Sequence, residues 1–498
     1  MEVLDNAEMA RADQLTIEGG TSGFDLMCDA GRAVADAAID LAEEGAILVI
    51  AGRGNNGGDG FIAATELAKR GRQVSVILLC DRATLKGDAA LAAQTWTGKV
   101  LPCDPAAIGN PALIIDALFG AGLDRPVKGD PLTMIEAINA SGVPVLSVDL
   151  PSGINGNTGA VMGAAVRALE TVTFFRPKPG HMLLPGRVHC GLLRVVEIGI
   201  DAEVLSEIRP AAFENLPDFW SGAFPVPRLD SHKFSHGHAV VVSGDIASTG
   251  AARLAARAAL RGGAGLVTVA SPRDALAVNA GALTAVMVKP VDTAAEFAAL
   301  IGGKVSACVI GPGAGVGDRN RDFVLALLAA NRHAVLDADA LTSFAENPER
   351  LFDAIKAADE AHVVLTPHEG EFSRIFSGVD TEAPALSKLE RVRMAAKRSG
   401  AVVLLKGPDT VVASPDGRAT IAANAPPWLA TAGSGDVLAG IIGGFLAQGV
   451  PAFEAACIGV WMHGEAGSEA GPGLIAEDLP EVLPSVFRRL YDRLEFDY

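Results

Sequence analysis

The chain has 498 residues, 49% of them apolar and 20% charged, with a net charge of -18. That length exceeds one ordinary domain and predicts two or three, with ample material for cores. The acidic balance excludes broad binding to nucleic acid or anionic membrane, although glycine loops and helix ends bind anions locally whatever the net charge.

Short apolar runs in the first half predict strands at 46–51, 73–80, 112–116, 144–149, 171–175 and 192–197. Helix-compatible segments at 26–43, 59–70, 87–95, 131–140 and 160–168 alternate with them. That alternation predicts a parallel sheet with helices on both faces and a working edge at the carboxyl ends of the strands. Prolines 210, 217, 225 and 227 then punctuate a stretch without a clear period, read as a boundary ending near Leu229. A second αβ series follows. Its strands are expected at 238–243, 265–270, 284–288, 306–310, 333–337, 361–365, 401–405 and 410–413. Its helices are expected at 249–261, 320–330, 387–399, 434–447 and 452–468. The domains are therefore placed at 1–215 and 225–498.

The six cysteines at 28, 80, 103, 190, 308 and 457 form no C-x-x-C pair. The opening Met1-Glu2-Val3-Leu4-Asp5 has neither a basic nor an apolar signal region. A reducing, cytoplasmic setting is expected. The apolar stretch near 437–447 is too short for a membrane span.

Three strand ends of the first half carry chemistry. After the run Ala46–Ala51 comes Gly52-Arg53-Gly54-Asn55-Asn56-Gly57-Gly58-Asp59-Gly60. Gly52, Gly54 and Gly57 satisfy G-x-G-x-x-G, and Asp81 falls near a ribose-binding position. The asparagines and the aspartate exceed what a dinucleotide turn needs; the bland alternative is a tight turn with polar filler. The other ends are Asp116-Ala117-Leu118-Phe119-Gly120-Ala121-Gly122-Leu123 and Val148-Asp149-Leu150-Pro151-Ser152-Gly153. Asn56, Asp116, Asp149 and Ser152 would meet on one sheet edge. Their oxygens suit a hard monovalent or alkaline-earth cation better than zinc. An aspartate there serves as acid or base if its pKa is raised; alternatively each merely caps a turn.

These three motifs resemble the epimerase domain of the NAD(P)H-hydrate repair enzymes over about residues 1–210. The resemblance implies a Rossmann-like three-layer domain that interconverts R and S hydrates of NADH and NADPH and uses potassium. It implies phosphate contacts from Asn55, Asn56, Gly57, Gly58 and Asp59, and from Gly120, Ala121, Gly122, Leu123, Asp124, Arg125 and Pro126. It implies potassium ligands Asn56, Asp116 and Ser152, with Asp149 as the substrate-contacting acid/base group.

In the second half, Thr431-Ala432-Gly433-Ser434-Gly435-Asp436 introduces an apolar helix. Amides of Gly433, Ser434 and Gly435 at a helix N-terminus make an anion hole. Asp436 at its rim suits phosphoryl transfer, taking the acceptor's hydroxyl proton; an N-cap aspartate on a glycine turn is the plain alternative. Leu405-Lys406-Gly407-Pro408-Asp409-Thr410, Thr366-Pro367-His368-Glu369-Gly370-Glu371, Gly311-Pro312-Gly313-Ala314-Gly315 and Arg261-Gly262-Gly263-Ala264-Gly265 mark further loops. Together they resemble the ribokinase-like α/β dehydratase domain of the same family over about 230–490. The resemblance implies an ADP-dependent dehydratase with magnesium, acting on the S hydrate. Ala264, Gly315, His368 and Asp436 would touch the hydrated dinucleotide. Lys406, Gly407, Pro408, Asp409, Thr410 and Gly435 would touch ADP, with Asp436 catalytic. The partners expected are small molecules, the hydrated dinucleotide and ADP, with no nucleic acid and no membrane; a homo-oligomer is compatible. Two other readings are a ribokinase-like small-molecule kinase fused to a dinucleotide sensor, and a first half that is a non-catalytic scaffold.

Overall fold

Five-residue apolar runs bounded by glycine, proline or polar residues build the first sheet. Its strands are β1 (Ile47–Ala51), β2 (Val74–Leu78), β3 (Lys99–Leu101), β4 (Leu113–Ala117), β5 (Val145–Val148), β6 (Glu170–Phe174) and β7 (Leu192–Val196). They lie in the order β3-β2-β1-β4-β5-β6-β7, and every pairing is parallel. In the computed structural model, which describes residues 1–358, 362–382 and 386–496, this sheet belongs to the first of two compact units, Met1–Ala212 and Phe213–Tyr498.

The main helices of the first unit are α1 (Asn6–Glu18), α2 (Gly23–Leu41), α3 (Asn55–Lys69), α4 (Gly87–Thr95) and α5 (Asp130–Ser141). Alternation along β1 divides the core. Ile47, Val49 and Ala51 pack with α2 and α3, whereas Leu48 and Ile50 pack with Met134, Ile135 and Ile138 of α5. The strand order reverses between β1 and β4, so a crevice opens at their carboxyl ends.

Three expectations change here. Residues 160–168 form no helix, because Gly159 (φ 71°) and Gly163 (φ 93°) turn the chain. The segment instead lies along the Pro151–Gly153 loop, with Met162 N–H donating to the Gly153 carbonyl at 2.7 Å and Val166 N–H to Ser152 at 2.9 Å. The asparagine loop is the first turn of α3 rather than a loop before it, since that helix starts at Asn55. Helix α1 was not foreseen; Asp5 and Glu8 close a capping box at its start.

The second unit holds a ten-stranded sheet. Its strands are β8 (Ala212–Glu214), β9 (His238–Val242), β10 (Leu266–Ser271), β11 (Met287–Pro290), β12 (Ala307–Ile310), β13 (His333–Leu336), β14 (Val363–Leu365), β15 (Val402–Leu405), β16 (Val411–Ala413) and β17 (Ala419–Ile421). The order is β11-β10-β9-β12-β13-β14-β15-β16-β17-β8, with the strands from β11 to β15 parallel and β15-β16-β17 antiparallel. The expected strand 361–365 is found at 363–365, and residue 361 lies outside the described residues. The apolar helix Ser434–Ala447 crosses the sheet, and Gly440 and Gly444 let it close on the helix Thr249–Arg261: a Cβ there would sit 2.2 and 2.6 Å from carbonyl oxygens of Ala255 and Ala259. The proline-punctuated stretch is not a free linker. Trp220 is 1% exposed, and it and Phe224 pack in the core of the second unit. No described helix is long and apolar enough to cross a membrane.

Candidate functional sites

The crevice of the first unit is a cavity of about 930 Å³. The α3 N-terminus enters it through Arg53, Gly54, Asn55, Asn56 and Asp59, and the whole run Gly120–Pro126 lines it. Free N–H groups at a helix start and Arg53, Arg125 and Lys128 at the walls suit phosphates. Gly57 and Gly58 do not line it. A Cβ on Gly57 would stand 2.0 Å from the Gly52 carbonyl oxygen, and one on Gly58 2.6 Å from the Met27 sulfur. These glycines let α3 close on β1 and α2. Gly57→Ala is therefore expected to destabilise the first unit by about 3 kcal/mol, read by urea denaturation. Gly54→Ala, into open space, should cost less than about 1 kcal/mol. Asp81 is exposed, caps the turn Arg82–Thr84 and is not among the residues that line this cavity.

Asp149 stands at the centre. Its backbone is left-handed (φ 64°), a conformation held by His181, whose Nε2 donates to the Asp149 carbonyl at 2.7 Å. His181 Nδ1 accepts from Lys178 N–H at 2.8 Å, so the imidazole is neutral, and burial holds its pKa down to about 4. The Asp149 carboxylate accepts from Ala121 N–H (2.8 Å), Thr173 Oγ1 (3.1 Å) and the buried Lys178 ammonium (2.8 Å). Burial pushes its pKa up, but Lys178 pulls it further down, to about 2. The raised pKa expected of an acid/base aspartate is reversed here: Asp149 is ionised, a base or charge stabiliser. Two other aspartates of the cavity move the other way. Burial raises Asp13 to about 6 and Asp59 well above the carboxylate range.

The three potassium candidates separate into a pair and a neighbour. Asp116 is wholly buried and accepts from Ser152 Oγ (2.5 Å), Ser152 N–H (2.9 Å) and Ser147 Oγ (2.9 Å). Ser152 Oγ in turn accepts from Phe119 N–H at 2.9 Å. Asn56 is 9% exposed, and neither amide atom has a partner. A Cβ on Gly120 would lie 3.1 Å from Asn56 Oδ1 and 2.7 Å from Asp149 Oδ2, so Gly120 keeps that corner open. An orphaned amide oxygen at the same corner as the Asp149 carboxylate is the kind of oxygen ligand that a hard, weakly charged cation takes. No cluster of three His, Cys, Asp or Glu that could hold a metal exists among the described residues.

In the second unit the carboxyl ends of β12 to β15 and the start of the helix Ser434–Ala447 converge. Lys406 Nζ donates to Asp337 Oδ1 at 2.7 Å, and a Cβ on Gly435 would be 3.4 Å from that nitrogen. The ammonium thus stands beside the anion hole, held by a carboxylate that is 1% exposed. Gly433 is left-handed (φ 86°), and Leu254 and Ala476 occupy the space a side chain would need. Burial, then Asp337, raise the Asp436 pKa to about 6 against the pull of Lys406. Gly315 N–H donates to Asp339 Oδ2 at 2.9 Å. Lys406 N–H donates to Pro367 at 2.9 Å, joining the Thr366–His368 loop to the site. His368 caps the helix Glu369–Ile375 through Nδ1 and is about half exposed, so the packed-loop role and an open ring face coexist.

Three further candidate residues are buried. Asp409 and Thr410 are 6% and 7% exposed. Asp409 pairs with Lys388 at 2.7 Å and Thr410 Oγ1 bonds Gly407, so their side chains build the turn that presents Lys406, Gly407 and Pro408. Ala264 is 3% exposed at the amino end of β10, the opposite edge from Gly315, His368 and Asp436. Helix Thr249–Arg261 reaches the working edge through its other end, where a Cβ on Gly313 would stand 3.1 Å from the Ser248 carbonyl oxygen and 3.2 Å from Ala251. Sequence reading missed Asp13, Lys178, His181, Asp337 and Asp339. The capping box at Asp5 and the Asp337-Ala338-Asp339 doublet after an apolar strand were the available signals.

The structure thus defines a two-unit α/β protein in which helix-start amides and partly or fully buried carboxylates gather at the carboxyl ends of the parallel strands of each sheet. A family model described as NAD(P)H-hydrate dehydratase matches residues 239–483, and one described as YjeF-related protein N-terminus matches 23–180. A bifunctional NAD(P)H-hydrate repair enzyme of Coxiella burnetii is 36% identical, the match covering 95% of this chain and 97% of that one. Its counterpart in Salinibacter ruber is also 36% identical, over 97% and 96% of the two chains. An ADP/ATP-dependent NAD(P)H-hydrate dehydratase of Bacillus subtilis, crystallised with ATP and Mg²⁺, is 27% identical over 56% of this chain and 98% of its own, with a TM-score of 0.48. The chain belongs to the bifunctional NAD(P)H-hydrate repair enzymes.

Proposed function

We propose that the first unit epimerises R and S hydrates of NADH and NADPH, and that the second dehydrates the S form at the expense of ADP, giving AMP and phosphate. The observation that carries this is the retention of working chemistry at both edges: an ionised Asp149 in a dinucleotide-sized cavity, and a proton-hungry Asp436 at an anion hole. Hydroxide is a poor leaving group. In the second unit Asp436 takes the hydroxyl proton as that oxygen accepts a phosphoryl group, and the phosphate then leaves readily. The Gly433–Gly435 amides and Lys406 hold the transferred charge. Magnesium, arriving with the nucleotide, would neutralise its phosphates. In the first unit Asn56, Ser152 and Asp116 would hold potassium, which supplies fixed positive charge beside the substrate; Asp149 moves a proton at the hydrated ring.

The test gives purified chain both epimers, ADP, Mg²⁺ and K⁺ and follows the absorbance of reduced nicotinamide. Full recovery of both epimers with release of phosphate is expected. Recovery of the S form alone would leave the first unit a scaffold, and a stable phosphate ester made from ATP would make the second unit a kinase. Replacing K⁺ by Li⁺ is expected to slow R turnover tenfold or more, on the order of the 10–100-fold losses seen when a metal site is disturbed, and to leave S turnover unchanged.

A further inference from the structure

We propose that Asp13 is a second proton-transfer residue of the first site, acting with Asp149 from the other side of the hydrated nicotinamide ring. The proposal rests on the epimerase reading above. Asn6, Met9, Ala10, Asp13 and Ile17 follow helical spacing and all line the cavity, so one face of α1 is a wall of the site. The helix is pinned where the reacting residues are carried. Asn6 Nδ2 donates to the Ala121 carbonyl at 2.5 Å, and Asn6 N–H donates to Asn157 Oδ1 at 2.8 Å. Asp13 lies two turns further on, roughly 10 Å along the axis from that anchor, on the same wall of the cavity.

No hydrogen bond or ion pair holds the Asp13 carboxyl among the described residues, although it lies in a part-buried wall. The charged groups facing it are Asp149 and Lys178 from the loops after β5 and β6, and Asp59 from α3. On the other flank of α1, Glu207 is taken up by Arg11. Burial and Asp149 raise Asp13 to about 6 while Lys178 opposes them. Burial raises Asp59 well above the usual carboxylate range and leaves it 8% exposed, so Asp13 is the more accessible carboxyl of the two. One ionised and one neutral carboxyl facing a single cavity divide the roles of base and acid.

The chemistry needs both. At C6 the hydroxyl and the ring nitrogen share one carbon. Asp149 accepts the hydroxyl proton, C6=O forms, the C6–N1 bond breaks, and its electron pair goes to N1, which takes the proton of Asp13. Rotation about C5–C6 turns the other carbonyl face to N1. N1 then re-forms its bond to C6 and returns its proton to Asp13, while the oxygen takes its proton back from Asp149. Nothing is gained or lost, and both carboxyls end as they began.

The test uses the full chain and its Asp13→Asn and Asp13→Glu variants. Turnover of the R epimer is measured from pH 5.5 to 8.5 with the spontaneous rate subtracted, dehydration of the S epimer in the same chain as reference, and a thermal melt for folding. Wild-type kcat/KM for the R epimer is expected to fall about tenfold per pH unit above pH 6 as Asp13 ionises. Asp13→Asn should lose about 100-fold at pH 6 and lose that slope, while Asp13→Glu keeps the slope. Retention of near wild-type R turnover by the asparagine variant, or a loss with the descending limb intact, overturns the proposal. If the asparagine variant melts early, a glutamate variant whose R turnover no longer declines with pH overturns it equally. A wild-type chain inert toward the R epimer would sink the epimerase reading itself before Asp13 is reached.

Discussion

Asp436→Asn is expected to lower dehydration of the S epimer about 1000-fold while making the second unit more stable at pH 7. Both effects have one source. Asp436 sits over a helix start that favours a negative charge, yet burial and Asp337 oppose that charge strongly enough to raise its pKa to about 6. A folded pKa above the unfolded value means that protonation favours folding. The favourable contribution is fully present below about pH 4 and is lost as the pH rises through about 6. Above that, the ionised carboxylate costs on the order of 2 kcal/mol. Asparagine removes the charge and keeps the shape, so the variant should melt higher than wild type at pH 7.5 and alongside it at pH 4. A variant that is both inactive and less stable would show Asp436 to be a structural cap, as its place in the first turn allows. R-epimer conversion to S should be untouched, because that chemistry is carried by the other unit.

What the sequence made legible follows from period and punctuation. The apolar runs of β1, β4 and β12 are too short for helices and end in glycine or aspartate, so they could be read as buried parallel strands with a working edge. The helix start at Gly433–Asp436 was legible because glycine, helix-compatible run and carboxylate are contiguous. Residues 160–168 were misread because alanine and valine favour no single outcome there, and the positive φ of Gly159 and Gly163 decides the path. The reading of Ala264 rested on the family resemblance of the run Arg261–Gly265 alone; in the fold it precedes β10 at the amino edge, and Gly265 is small because a Cβ would strike the Lys233 carbonyl at 1.8 Å. Lys178 and Asp337 were invisible for another reason. Each matters through a partner far along the chain, Asp149 at a separation of 29 residues and Lys406 at 69, and no local pattern encodes such a pair.

The Asp149–Lys178 pair yields the other large effect. Asp149→Asn is expected to reduce R-epimer turnover about 1000-fold with the S epimer consumed at the wild-type rate. Asparagine is the informative substitution because position 149 is left-handed (φ 64°), a conformation asparagine accepts and alanine resists. Stability should respond in the opposite sense to that at Asp436. A folded pKa near 2 lies below the unfolded value, so Asp149 contributes stability above about pH 4 that is lost as the pH falls through about 2. Its loss also leaves the Lys178 ammonium, 2% exposed, facing a neutral amide. Breaking a buried pair from one side costs about 3 kcal/mol or more, whereas removing both charges can be nearly neutral. Asp149→Asn should therefore lower the melting of the first unit, and Lys178→Met added to it should restore much of the loss. Activity should not return in the double variant, since the base is still missing. Recovery of R turnover in that variant would show that Asp149 acts only to neutralise Lys178, and the proton would have to be moved by another carboxyl of the cavity.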